Sequence, residues 1–344
     1  MGKNQHYIPR FLLRNFSEEE NKKSLTTYYL KDKRKVYYAS IKNQASKDFI
    51  YGKDQTIETL LQRIESITAM TISKLIKNEN LNSDDIEALK IFILFQLKRT
   101  PFNADSNNEV ANLLLKTKYS NHPTIGKLID KAKLELRNPY LISIISCINA
   151  ITLLSDLSIT LLENNTELSF VLGQHPAFII NPLFYEKKMN FFSQGIAVKG
   201  ICILLPISLR KAILIYDKFS YKLIKNNNKV ELNCDDINLL NEYQFCYTTD
   251  CVYIKKDTDN NYLNTLTETT QNFRNRNILE IKMINKHGQK VLYEQTKIPE
   301  IDPHISILKV KNQAYCQHLI PTEVYLARPS IIPELIKRGN EIGI

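Results

Sequence analysis

Two hydrophobic periods divide this chain and constrain what it can fold into. From Asp54 to Glu163 apolar residues recur at helical spacing, whereas after Asn164-Asn165 they gather into short runs separated by Gly or Pro. Ile57, Leu60, Leu61, Ile64 and Ile67 share one helical face, and Glu58 and Glu65 lie a heptad apart on another. Ser83-Asp84-Asp85 with Glu87 reads as the cap of a second helix through Leu97, which Pro101 closes. Further helices are expected over 106–118, after Pro123 and over 139–163. The later half predicts strands over 168–172, 177–180, 196–205, 211–216 and 246–254, and helices over 235–245 and 263–274. Weaker strands follow near 279–283 and 290–293. Ahead of all these, Tyr- and Thr-rich runs at 25–30 and 35–41 flank Lys31-Asp32-Lys33-Arg34 and predict a hairpin. Helices first and strands later predict an α+β fold, a helical N-terminal half with a hairpin packed on a mostly antiparallel sheet from the C-terminal half.

Composition excludes several classes. The longest apolar stretch, 140–162, is interrupted by Ser143, Ser146, Asn149 and Asp156 and reads as a buried helix, so no membrane span is expected. The first residues carry no charged-then-apolar leader pattern, and His6 stands where myristoylation of Gly2 needs Ser or Thr. None of the six cysteines forms a C-x-x-C pair, which predicts packed, reduced thiols in the cytoplasm rather than a disulfide frame or zinc knuckle. The net charge is +10, and residues 1–50 carry eleven Lys/Arg against five Asp/Glu. Such a basic segment attracts polyanions, although AT-rich coding also enriches Lys and Asn. No phosphate loop, dinucleotide fingerprint, serine elbow or H-E-x-x-H is present, and nine glycines leave little room for a nucleotide cradle. Trp is absent, but eighteen Tyr and fourteen Phe supply stacking faces for bases.

Certain blocks form an ordered set: His6-Tyr7-x-Pro9-x-x-x-Leu13-x-x-Phe16, Tyr51 with Glu58 and Glu65, Gln96-Leu97-Lys98-Arg99-Thr100-Pro101 and Phe170 through Pro176. Leu205-Pro206-Ile207-Ser208 with 211–217, and then Ile237 to Asn241, follow them. Over roughly residues 4–255 this set resembles the bacterial domain-of-unknown-function 4238 family. The resemblance implies a family domain over 1–255, hairpin and helices to 165 and sheet-rich from 166, with 256–344 as a C-terminal extension packed on it. One position departs: the family's usual F-x-x-S-D-x-P reads Gly173-Gln174 here, and a neutral Gln174 cannot replace a carboxylate as metal ligand or base.

Four residues form the candidate catalytic set, His6, Arg99, His175 and Glu58. His6 could exchange protons near neutral pH, or anchor the N-terminus with Tyr7. Arg10 and Arg14 at helical spacing could clamp a phosphate. Arg99 and Gln96 close an apolar helix, where a guanidinium must be paired or meet a ligand; Glu58 and Glu65 are its possible partners. His175 sits in a turn between strands and is the best second histidine, unless the turn is only a turn. Tyr7, Arg10, Arg14, Gln96 and Gln174 are the substrate-binding candidates, with no metal and no cofactor. His122, His287, His304 and His318 show no partner in the sequence. The set predicts a ribonuclease-like, phosphodiester-cleaving effector of bacterial defence or growth arrest, with His6 and His175 sharing acid–base work and Arg99 stabilising phosphate charge. Two alternatives are a non-catalytic module binding nucleic acid, RNA above all, or a phosphate ligand, and a scaffold or immunity partner whose polar blocks knit the two halves together.

Overall fold

A computed structural model describes residues 4–52, 56–188, 195–274, 279–286, 289–296, 299–315 and 326–342. The fold is α+β, as the order of periods predicts. Ser24–Tyr29 and Arg34–Ser40 form the expected hairpin, and Cys251–Ile254 adds antiparallel to its first strand, pairing Cys251 with Tyr29. The larger sheet runs in the order Val230–Leu232, Ser158–Asn164, Lys211–Tyr216, Cys202–Pro206 and Phe178–Ile180. All its pairs are antiparallel except the first. Leu162, Ile203, Leu204, Ile213 and Leu214 are fully buried in one continuous core with Leu12, Leu13, Phe92 and Ile93 of the helical half. That continuity joins the two halves. A smaller cluster packs Leu263 and Leu266 on Tyr28, Val171 and Phe245, so residues beyond 255 help bury the hairpin.

Several local expectations shift. The second helix spans Ser83–Lys98, but its cap is Asn82: the Asn82 side chain accepts from the Asp85 N–H at 2.8 Å while Asp85 accepts from the Asn82 N–H at 3.1 Å. The next helix is Pro101–Tyr119 and starts at the proline, not at Ser106, because Pro at the first position needs no amide partner and Thr100 caps it. The helix expected just after Pro123 is the short Gly126–Lys131. The expected helix over 139–163 stops at Ala150, passes through a 3-10 turn at Ile151–Leu154, and gives way to strand Ser158–Asn164. There the alternation of Ile159 and Leu161 with Thr160 suits a strand, and sheet pairing on both sides overrides the apolar continuity. Residues 168–172 contribute only an isolated bridge, Leu172 with Tyr253, in place of a strand. Among the described residues no helix is long and apolar enough to cross a membrane. His287, Cys316 and His318 lie outside the described residues.

Candidate active site

The N-terminal strand Asn4–His6 pairs antiparallel with Ser46–Asp48 and fixes the first functional side chain. Gln5 accepts the Tyr51 N–H at 2.8 Å, and the Tyr51 hydroxyl donates to the His6 carbonyl at 3.1 Å. Helix Arg10–Arg14 follows Pro9 and is anchored by buried Ile8, Leu12 and Leu13, which leaves Arg10 exposed on its outer side. From there the Arg10 Nε donates to His6 Nε2 at 2.9 Å. That bond makes Nε2 the acceptor and so assigns the His6 proton to Nδ1. Burial pulls the His6 pKa down to about 4, the Arg10 charge and more weakly Arg99 add to it, and the Gln44 backbone partly opposes them. The imidazole is therefore neutral near pH 7.

Helix Thr56–Ile76 forms the facing wall, and the cleft between holds about 500 Å³ lined by Asn4, His6, Arg10, Phe11, Glu58, Gln62, Glu65, Ser66 and Ala69. Phe11 braces its side of the cleft against Phe92, ring centroids 5.5 Å apart. The Glu58 carboxyl is pushed above its ordinary range chiefly by burial, with the Glu65 charge adding to it. Gln62 donates to Glu58 at 3.2 Å and Arg99 and Arg10 lie near, which opposes the shift without cancelling it. Glu65, the second heptad glutamate, is the partner of Arg99, at 2.7 Å from Nη1. Arg99 is 1% exposed. With its amide oxygen turned to the guanidinium, Gln96 accepts from Arg99 Nε at 2.8 Å and Nη2 at 2.6 Å. Arg99 and Gln96 thus stand behind the wall, Arg99 holding Glu65, and neither lines the cleft.

His175 does not reach the cleft. It is 6% exposed, shares a hydrogen bond of 3.0 Å between Nδ1 and the Thr100 hydroxyl, and lies between the rings of Phe102 and Tyr247 at 5.8 and 5.3 Å. Burial, helped by the Lys98 charge, lowers its pKa to about 3. The turn carrying it is drawn inward because the Gly173 N–H donates to Gln244 Oε1 at 2.7 Å, and a Cβ at Gly173 would stand 2.3 Å from the Thr248 hydroxyl. Only glycine fits so close an approach. The expected pairing of His6 with His175 is therefore not formed, and His175 serves to hold Thr100 at the head of its helix.

Gln174 is also structural. Its Oε1 accepts from the N–H groups of Thr249 and Asp250 at 3.2 and 3.0 Å and from the Thr249 hydroxyl at 3.2 Å. Its Nε2 donates to the Tyr7 hydroxyl at 3.3 Å, so Tyr7 and Gln174, both placed in the substrate-binding set, instead tie the N-terminal block to the hairpin's third strand. Arg14 is exposed and lines no part of the cleft. Among the predicted site residues, His6, Arg10 and Glu58 come together; Arg99 and Gln96 support from behind; Tyr7, Arg14, His175 and Gln174 lie elsewhere. Sequence reasoning missed Gln62 and Phe11, although Gln62 stands one turn from Glu58 on the same helix. Among the described residues no group of three or more His, Cys, Asp and Glu side chains is placed to hold a metal ion.

Comparison with known proteins gives one match. A family model described as "Protein of unknown function (DUF4238)" covers residues 4–288, past the boundary expected at 255. No curated protein and no solved structure matches the chain.

Proposed function

This chain belongs to the DUF4238 family, and from that premise we propose that its cleft cleaves phosphodiester bonds, with RNA as the substrate and His6 and Glu58 as the acid–base pair. The observation that carries this reading is the pairing of a neutral histidine with a glutamate of raised pKa on the walls of one cleft, beside an exposed arginine. A neutral imidazole can accept a proton, and a carboxyl whose pKa is raised by burial is a better donor than an ordinary one. Arg10 leaves His6 for a phosphate oxygen when substrate enters, which frees Nε2. His6 then takes the proton of the ribose 2′-hydroxyl, whose oxygen attacks the phosphorus. Glu58, whose carboxyl pKa burial raises, is the proton donor to the departing 5′-oxygen. The products are a 2′,3′-cyclic phosphate and a 5′-hydroxyl end, so atoms and charge balance. Buried, free Cys147, Cys202, Cys246 and Cys251 support a reducing, cytoplasmic workplace for an effector of defence or growth arrest.

The test is incubation of the purified protein with tRNA and total RNA, with and without chelator, and analysis of the new ends. The wild type is expected to leave cyclic phosphate ends and to arrest growth when induced. His6→Ala and Glu58→Gln should each lose roughly 100-fold or more in rate with unchanged melting curves. Intact RNA from pH 5 to 8 in every condition, with no effect on growth, removes the reading.

A further inference from the structure

A second polar cavity, of about 470 Å³, lies at the far end of helix Thr56–Ile76, lined by Asn78, Asn165, Thr166, Arg210, Lys211 and Lys229 together with Glu163 and Asn164. Three cations face one carboxylate there. Glu163 is already neutralised by Lys229, at 2.8 Å. Lys211 meets no acid: its ammonium donates to the Leu75 and Ile76 carbonyls at 3.0 and 2.9 Å and to Asn78 Oδ1 at 2.5 Å, across the end of the helix. Arg210 is fastened by Nη1 alone, to the carbonyls of Thr166 and Leu168. Those carbonyls are set by Asn164, whose Oδ1 accepts from the Thr166 N–H and hydroxyl at 3.0 and 2.8 Å and whose Nδ2 donates to Leu168 at 2.7 Å. Among the described residues, Arg210 Nε and Nη2 have no acceptor. Of the neighbouring acids, Glu231 accepts from Asn165 and Asn226, and Asp257, which the Arg210 charge reaches, is paired with Lys255 at 2.7 Å.

We infer that this cavity binds a phosphate-bearing anion, gripped by the free edge of Arg210 and by Lys229, with Lys211 as a fixed charge at its floor. A guanidinium held by one nitrogen presents a preformed fork to phosphate oxygens, and its loss of freedom is already met by the Thr166 and Leu168 carbonyls. Burial lowers the Lys211 pKa, Lys229 adds to this while Glu163 opposes it, and an anion in the cavity would relieve the remaining strain of unpaired positive charge. Two sources carry this chemistry, free phosphates and the backbone of a nucleic-acid strand.

Calorimetric titration of the full chain at about 50 mM salt separates them, with inorganic pyrophosphate as one probe and a 2′-O-methyl oligouridylate as the other. The second probe cannot form a cyclic phosphate, so the outcome is independent of cleavage. Binding of pyrophosphate alone assigns a free-phosphate site. Binding of the oligonucleotide assigns a strand contact, with Arg210→Gln shallowing the salt dependence by about one ion. In either case Arg210→Gln is expected to weaken binding roughly tenfold and Lys229→Met less, with melting unchanged; Lys211 is left intact because it closes the helix. If neither probe binds, or if Arg210→Gln leaves both affinities unchanged, the inference is wrong.

Discussion

His175 and Gln174 are adjacent, and their surroundings turn both of them into supports of the fold. His175 is neutral in its aromatic slot, so the folded protein resists taking up its proton until the pH nears about 3. The unfolded chain takes that proton near 6.5, so stability is full above that value and falls as the pH drops below it. At pH 5 the loss from His175 alone is about 2 kcal/mol, which urea unfolding at pH 7 and pH 5 measures against His175→Gln. A variant as acid-sensitive as the wild type would remove His175 as the cause. His304 behaves in the opposite sense. Burial pulls its pKa down, but Asp302, and Glu186 at 2.7 Å from Nε2, outweigh it and hold the pKa above its usual value. Its contribution is therefore present below about 6.5 and lost as the pH rises through the folded value. For Gln174, restoring the family's acid by Gln174→Asp should change stability by less than about 1 kcal/mol, whereas Gln174→Leu should cost about 1–2 kcal/mol for the stranded backbone donors. Melts of the Asp variant with and without magnesium check the role: a magnesium-dependent rise would return a metal to this position. Gln174 was visible in the sequence as a departure, but its purpose was not, because the donors it serves lie on a segment over seventy residues away.

Helix Ser83–Lys98 and helix Pro101–Tyr119 meet with no spacer, Arg99 closing the first and Thr100 capping the second. That junction aims Arg99 across at helix Thr56–Ile76, where it holds Glu65 in the cleft wall. The pair is asymmetric: Arg99 is 1% exposed and Glu65 23%. Glu65→Leu should therefore cost roughly 3–5 kcal/mol by leaving a buried guanidinium uncompensated, while Arg99→Met frees a carboxylate that can reach water and costs on the order of 1–2 kcal/mol. Urea unfolding of both variants checks the order, and the reverse order would overturn this account. The element boundaries at this junction were partly legible. Pro101 announced an interruption, but whether a proline ends a helix or starts the next depends on Thr100, whose hydroxyl also serves His175. Strand Ser158–Asn164 was hidden for a different reason: a short apolar run reads as either helix or strand, and its partners at 211–216 and 230–232 are remote in sequence.

At the scale of the whole molecule, Arg328 makes a long-range closure. It is 1% exposed, pairs with Asp156 at 2.9 Å, and donates from Nη1 to the Ile196 and Val198 carbonyls at 2.6 and 3.2 Å and from Nη2 to Leu153. The C-terminal segment is thereby fastened to the junction between helical half and sheet, and Arg328→Ala should cost roughly 3–5 kcal/mol in urea unfolding while leaving a single transition. Separate transitions would show that the segment is an independent unit. The α+β class was legible because it rests on periods summed over many residues, and beyond residue 255 Leu263 and Leu266 pack back to complete a cluster begun by Tyr28. The pairing of Ser24–Tyr29 with Cys251–Ile254 has a consequence in time. A ribosome makes roughly 5–20 residues per second, so the N-terminal hairpin waits on the order of 10–45 seconds for its third strand to be synthesised. Through that interval one edge of the nascent hairpin stays open, and the cell must shield it from neighbouring chains until synthesis catches up.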